Sequence, residues 1–258
     1  MILIDGHRHL PFTAPSEEAI SELLAFFEKY KLFKACIYPS LQADDFSDLN
    51  RYYKRLDQTL AKGGNHFAKK ILKFGAIDFT KSPHQLEQDI EKHQLKGLKL
   101  HPLQNFKINK EVLMPYLEIL KSHNLPLYIH SDWVPSTEYK KRKVILEQTI
   151  GKIASFVPRI PVIMGHAGNS DSYRHIHKVL NKHSNVILET SMAPTSAELE
   201  KAIWKYGAHR VIFGSNEPYC AFDKELKLIE VLNISLPERY LILGKNAMNL
   251  FHLNKNQI

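Results

Sequence analysis

Cysteine is scarce: 258 residues contain two, Cys36 and Cys220. That count excludes the disulfide framework of a small secreted domain. Cys36 lies in an apolar run and reads as a small core residue, and Cys220 as an incidental thiol. Long apolar runs are missing too. No stretch approaches the roughly 18 residues of a membrane helix. The apolar start ends at Asp5, with neither the basic lead nor the roughly 7–15 apolar residues of a signal peptide. A cytoplasmic, reduced protein with no membrane partner is expected. No glycine-rich phosphate loop follows the first apolar run, where the sequence is Asp5-Gly6-His7-Arg8-His9. Acidic residues are outnumbered 27 to 35, for a formal net charge of +8. The lysines are scattered along helix-like segments, and the one dense run, residues 140–143, reads as a solvated helix start, with a lure for anionic substrate as the alternative ahead of a nucleic-acid patch. With no RNA- or DNA-binding motif, no nucleic-acid partner is expected.

What is present is regular. Apolar, β-rich runs occur at residues 2–5, 33–38, 71–78, 95–100, 126–129, 162–164, 186–189 and 210–213. Helical spacing lies between them. Ile20, Leu23, Leu24 and Phe27 fall at i, i+3, i+4 and i+7, as do Leu113, Tyr116, Leu117 and Leu120, and such spacing lines one helix face. Ser16 is placed to cap the first of these helices, ahead of Glu17 and Glu18. Strand and helix alternate eight times, which predicts parallel strands joined by crossover helices. Eight units in about 250 residues predict a closed (β/α)₈ TIM barrel spanning residues 1–258 as one domain. The alternative is an open doubly wound sheet. The longest irregular stretch, residues 40–48, follows the second run and is a candidate active-site wall.

The chemistry-bearing residues sit at the ends of these runs. His7 and His9 are two apart and share a strand face. His101, His130 and His166 each end an apolar segment, and Asn216 follows the last one. In a TIM barrel the strand C-termini form the active face. Singly, each histidine reads as a structural, hydrogen-bonded residue; together they predict a convergent site. Neutral imidazoles suit zinc, manganese, iron or nickel.

Five segments carry a resemblance to the amidohydrolase superfamily, in particular its amidohydrolase-related (amidohydrolase 2) branch of metal-dependent hydrolases and decarboxylases. They are Asp5-Gly6-His7-Arg8-His9, Gly97-Leu98-Lys99-Leu100-His101-Pro102, Tyr128-Ile129-His130-Ser131, Met164-Gly165-His166-Ala167-Gly168 and Arg210-Val211-Ile212-Phe213-Gly214-Ser215-Asn216. The stretch from Ile242 to Phe251 is similar to the family's closing helix. The resemblance implies one divalent metal, zinc first, held by His7, His9 and His130. His166 would be a further ligand or a catalytic histidine that polarises the substrate. By their own position near strand ends, rather than by the resemblance, His101, Trp133 and Tyr219 are candidates to contact a small-molecule substrate, with Tyr38, Asp78 and Glu189 also placed to line the pocket. The family's last strand ends in an aspartate that takes a proton from metal-bound water. This chain has Asn216 there, and an amide cannot accept that proton near pH 7. Three readings stay open: Glu217 supplies the carboxylate, His166 or His101 moves the proton, or the barrel is repurposed for binding. The implied activity is hydrolysis of an ester, lactone or amide-like bond. The alternative is decarboxylation of a small aromatic or unsaturated acid. Asp5 and Lys99 are expected one layer deeper, as an ion pair, with a modified, metal-bridging Lys99 as a lesser reading. Association into a homo-oligomer is compatible with the sequence.

Overall fold

The computed structural model describes residues 2–10, 16–40, 48–101, 109–131, 147–168, 176–193 and 195–253. Residues 41–47 of the expected wall, the basic run at 140–143 and Trp133 lie outside them. The strands are β1 (Ile4–His9), β2 (Lys34–Tyr38), β3 (Ile71–Lys73), β4 (Gly75–Ala76), β5 (Leu98–Leu100), β6 (Leu127–Ile129), β7 (Val162–Met164), β8 (Val186–Glu189) and β9 (Val211–Ile212). Every pairing between successive strands is parallel. The strands β3 and β4 are two pieces of the third barrel strand, broken at Phe74. The Phe74 amide still donates to the Ile37 carbonyl, 2.9 Å away.

The helices are α1 (Glu17–Lys29), α2 (Leu49–Lys70), α3 (Pro83–His93), α4 (Lys110–Ser122), α5 (Glu147–Phe156), α6 (Ile176–Lys182), α7 (Ser196–Tyr206), α8 (Phe222–Glu230), α9 (Leu236–Tyr240) and α10 (Asn246–Leu250). Helix α1 starts as its sequence predicts: the Ser16 side chain accepts the Ala19 amide, and Ile20, Leu23 and Phe27 are buried. Helix α3 starts at a full capping box between Ser82 and Gln85, with Pro83 in its first turn.

The ends of the chain's strand series meet. Gly6 N–H donates to the Phe213 carbonyl (2.8 Å), Asn216 N–H to the His7 carbonyl (2.7 Å) and His9 N–H to the Glu217 carbonyl (2.8 Å). These bonds close the sheet into the (β/α)₈ barrel. Gly6 is where a side chain would fail: a Cβ there would lie 2.7 Å from the Phe213 oxygen. Along each strand, alternate residues face opposite ways. Tyr38, Phe74, Tyr128, Ile163 and Ile212 form a buried cluster inside the barrel with Ile4 and Cys36. Ala247, Met248, Leu250 and Phe251, in and just after α10, pack onto it. The flanking residues, such as Leu98, Leu100, Leu127 and Ile129, face the helix layer. The β1 register shifts between Asp5 and Arg8. That irregularity lets Ile4 and His7, three residues apart, both point inward.

Among the described residues, no helix is long and apolar enough to cross a membrane.

Candidate active site

The predicted histidines converge. The ring of His7 lies 5.0 Å from that of His9 and 5.2 Å from that of His166, measured between centroids. The His130 ring is 4.5 Å from His101 and 4.7 Å from His166. All are buried. Burial drives the protonation of His7, His9, His101 and His130 well below the usual imidazole range, and lowers His166 to about 4. The cause is loss of hydration of the charged form. The cluster is therefore neutral at pH 7, the state a metal or ligand needs.

Three inward residues one layer deeper support it. Tyr128 OH lies 2.9 Å from His7 Nδ1 and donates to Glu189 Oε2 at 2.9 Å. Glu189 Oε2 also accepts from Ser191 Oγ at 3.0 Å, and Oε1 from the Ser191 amide at 2.6 Å. Lys99 Nζ sits 3.3 Å from His7 Nε2, its pKa lowered to about 7 by burial. The expected Asp5–Lys99 ion pair is not what forms. Asp5 accepts the Ser215 hydroxyl at 2.6 Å and the Ser215 amide at 2.9 Å, and burial raises its pKa to about 6. The register shift in β1 takes Asp5 off the face that carries His7.

Asn216 has a left-handed backbone, φ 56°, which Asn and Asp tolerate better than most residues. Its amide Nδ2 donates to Met192 Sδ at 3.2 Å, and its Oδ1 lies 3.2 Å from His9 Nε2. Met192 is held in turn by Glu225, whose carboxylate accepts its amide at 3.1 Å. Glu217 faces the other way. Its carboxylate accepts the Phe222 amide at the start of α8, at 3.2 Å, and it lies in the field of Arg8. Arg8 projects between the barrel and α1, with its guanidinium 3.9 Å over the Phe26 ring. Of the three readings left open for the missing aspartate, the one in which Glu217 supplies the carboxylate is not what this geometry provides: β1 alternation puts Arg8, and Glu217 with it, on the outward side. Tyr219 does reach the site, its ring 5.1 Å from His9 and its hydroxyl 2.9 Å from Ser40 Oγ. Asp78 instead holds its own turn, accepting the Thr80 amide and hydroxyl at 2.9 and 2.6 Å. Cys220 is half-buried, its thiol lifted to about 11 mainly by burial.

A cation site is testable on the donor chemistry. His9 Nδ1 is 3.0 Å from the Tyr38 carbonyl, an acceptor only, so the ring proton is there and Nε2 carries a lone pair. That lone pair lies 3.2 Å from the Asn216 side-chain amide, whose oxygen can join it as a weak ligand. His130 Nε2 is buried and has no hydrogen-bond partner among the described residues. The residues present thus fit a metal. Ligand atoms of His7, His166 and Glu189 also lie within 4.8 Å of one another, and those three could hold an ion. That group shares His7 and His166 with the sequence expectation. Glu189 was legible only as a strand-end residue.

Glu225 permits a test of the scaffold. Burial raises its pKa from 4.5 to about 7. The folded state then binds more protons than the unfolded one, so stability falls as pH rises through that window. Glu225→Gln keeps an acceptor for Met192 and removes the charge. Thermal unfolding should show the variant more stable by roughly 2 kcal/mol at pH 8, with little difference at pH 5. Equal gains at both values would break the assignment.

The chain belongs to the amidohydrolase family, whose profile matches residues 35–253. No curated protein matches it in sequence. Among solved structures, it resembles a probable 2-pyrone-4,6-dicarboxylic acid hydrolase from Acinetobacter baumannii, at 14% identity and TM-score 0.73, covering 98% of this chain and 100% of that one. A 5-carboxyvanillate decarboxylase from Sphingomonas paucimobilis matches at 16% identity and TM-score 0.73, covering 98% and 99%. A dihydroxybenzoic acid decarboxylase from Polaromonas sp. JS666, with bound manganese and 2-nitroresorcinol, matches at 16% identity and TM-score 0.69, covering 100% and 98%. At these identities the likeness establishes the shared barrel.

Proposed function

We propose that this protein is a metal-dependent enzyme that decarboxylates a small aromatic or unsaturated acid. The observation that carries the reading is the fate of the carboxylates. Asn216 stands where a proton acceptor is needed for hydrolysis, Glu217 is turned to α8, and Glu189 is occupied by Tyr128, Ser191 and the His166 amide. Hydrolysis needs a base to take a proton from water. Decarboxylation needs the reverse: the carbon–carboxylate bond breaks, its electron pair stays on the ring carbon, carbon dioxide leaves, and that carbon gains a proton.

His7, His9 and His130, with the Asn216 amide oxygen beside them, would hold one divalent cation, zinc or manganese. When bound, the cation supplies positive charge that anchors an anionic substrate and stabilises charge in the transition state. Lys99 Nζ, at about 7, has a proton affinity suited to delivering a proton near neutrality. His101, beside His130, and Tyr219, beside His9, would orient the ring. Two decarboxylases among the resembling structures support this reading. Hydrolysis of a lactone is the second reading, favoured by the likeness to a pyrone dicarboxylic acid hydrolase and opposed by Asn216.

The test is turnover by zinc- or manganese-loaded protein on hydroxybenzoates, 5-carboxyvanillate and 2-pyrone-4,6-dicarboxylate, followed by carbon dioxide release and ultraviolet absorbance. We expect an acid to lose carbon dioxide, and a chelator to stop it. Opening of the pyrone with every acid untouched would replace this reading by hydrolysis. No turnover, with a tightly held small molecule, would indicate a binding protein.

A further inference from the structure

The buried carboxylate of Glu189 has more donors around it than a lone structural acid needs. Tyr128 OH and Ser191 Oγ both donate to its Oε2, at 2.9 and 3.0 Å. A hydroxyl has one proton and a carboxylate has none. With their protons on Glu189, both hydroxyl oxygens can only accept from the imidazoles they touch. Tyr128 OH lies 2.9 Å from His7 Nδ1, and Ser191 Oγ 3.0 Å from His166 Nδ1. Both rings must therefore carry their proton on Nδ1. His166 Nε2 is then a lone pair, and it faces His130 Nδ1 at 3.1 Å. That contact needs a proton on His130 Nδ1. His130 Nε2, buried and unpartnered among the described residues, is left as a lone pair.

We infer that Glu189, acting through Tyr128 and Ser191, is the positioning residue that sets the tautomers of His7, His166 and His130, so that Nε2 of His7 and of His130 are both lone pairs, the first facing Lys99 Nζ at 3.3 Å and the second offered to a cation. The inference rests on the reading of these histidines as a cation site. It also assigns His166 and Glu189 as supports, with their acceptor atoms occupied inside the protein. Metal-ligating histidines commonly hold their other nitrogen to a carboxylate or hydroxyl, and loss of such a partner typically lowers metal affinity about 10–100-fold. Here one carboxylate serves two branches: one to His7, through Tyr128 and by its own Oε2 at 3.3 Å from His7 Nδ1, and one through Ser191 and His166 to His130. Ser191 Oγ is also 3.4 Å from His7 Nδ1, so the branches touch.

Imidazole nitrogen shifts read the tautomer directly. The full chain, with ¹⁵N-labelled histidine and free of metal at pH 8, should show Nδ1–H rings for His7, His166 and His130. Signals are assigned by single histidine-to-glutamine variants. Ser191→Ala removes the acceptor for His166. His166 and His130 should both change to Nε2–H, His9 should not, and zinc affinity by chelator competition should fall about 10–100-fold. Ser191→Thr, which keeps the hydroxyl, should restore both. Nε2–H on His166 or His130 in the parent protein would overturn the inference, whether or not metal binds. So would a Ser191→Ala variant that loses zinc with both tautomers intact, since that is mere loosening. Should Ser191→Ala fail to fold, the tautomers of the parent protein still decide it. If the tautomers are as stated and no divalent ion binds, the cation reading fails while the relay stands.

Discussion

Replacing His7 and His9 together by alanine should abolish divalent-cation binding and the turnover that depends on it. The two rings come from one strand, lie 5.0 Å apart, and are held neutral by burial. His9 offers Nε2 because Nδ1 donates to the Tyr38 carbonyl; His7 keeps a lone pair on Nε2, facing Lys99 Nζ at 3.3 Å, because Nδ1 meets Tyr128. Without them only His130 and the weakly ligating Asn216 oxygen among the proposed ligands remain, and they cannot compete with water for the ion. The parent protein should take up about one zinc, through nitrogens at about 2.0–2.1 Å. X-ray absorption and metal analysis of the folded variant decide the matter. A double variant holding as much metal as the parent would show that the site lies elsewhere.

The second large effect concerns Asn216. Aspartate adopts the same left-handed backbone readily, so Asn216→Asp changes the chemistry with little cost in conformation. It places a proton acceptor 3.2 Å from His9 Nε2, where Oδ1 now lies. General-base assistance typically contributes about 10²–10⁴-fold. Hydrolysis of a generic ester or lactone by the metal-loaded variant should rise by an amount in that range, and metal affinity should rise with the added charge. Glu217→Gln should leave turnover near the parent value, because its carboxylate caps α8. If Glu217→Gln abolishes turnover and Asn216→Asp adds nothing, Glu217 is the base after all. If neither variant changes metal binding or turnover, the last strand carries no chemistry, and a repurposed barrel becomes the better account.

Much of the barrel could be read without coordinates because its causes are local. Apolar runs of strand length, helix faces such as Ile20, Leu23 and Phe27, and the Ser16 cap each depend on residues a few positions apart. The convergence of His7, His9, His101, His130 and His166 followed from the same periodicity, since strand ends in a parallel barrel share one rim. What tertiary structure alone decided are contacts between residues far apart in the chain. Ser215 meets Asp5 across 210 positions, Ser191 meets His7 across 184, and Lys99 meets His7 across 92. The shift in β1 between Asp5 and Arg8 sends Asp5 to Ser215 and leaves Lys99 against His7. Ordinary alternation with His7 and His9 puts Arg8, and Glu217 with it, on the outer side. No alternation rule contains a bulge, because a bulge depends on the backbone of the neighbouring strand. Glu189 is the sharpest case. Its sequence position marks only the end of one strand, and its role exists only once β6, β7 and β8 lie side by side and bring Tyr128, His166 and Ser191 around one carboxylate.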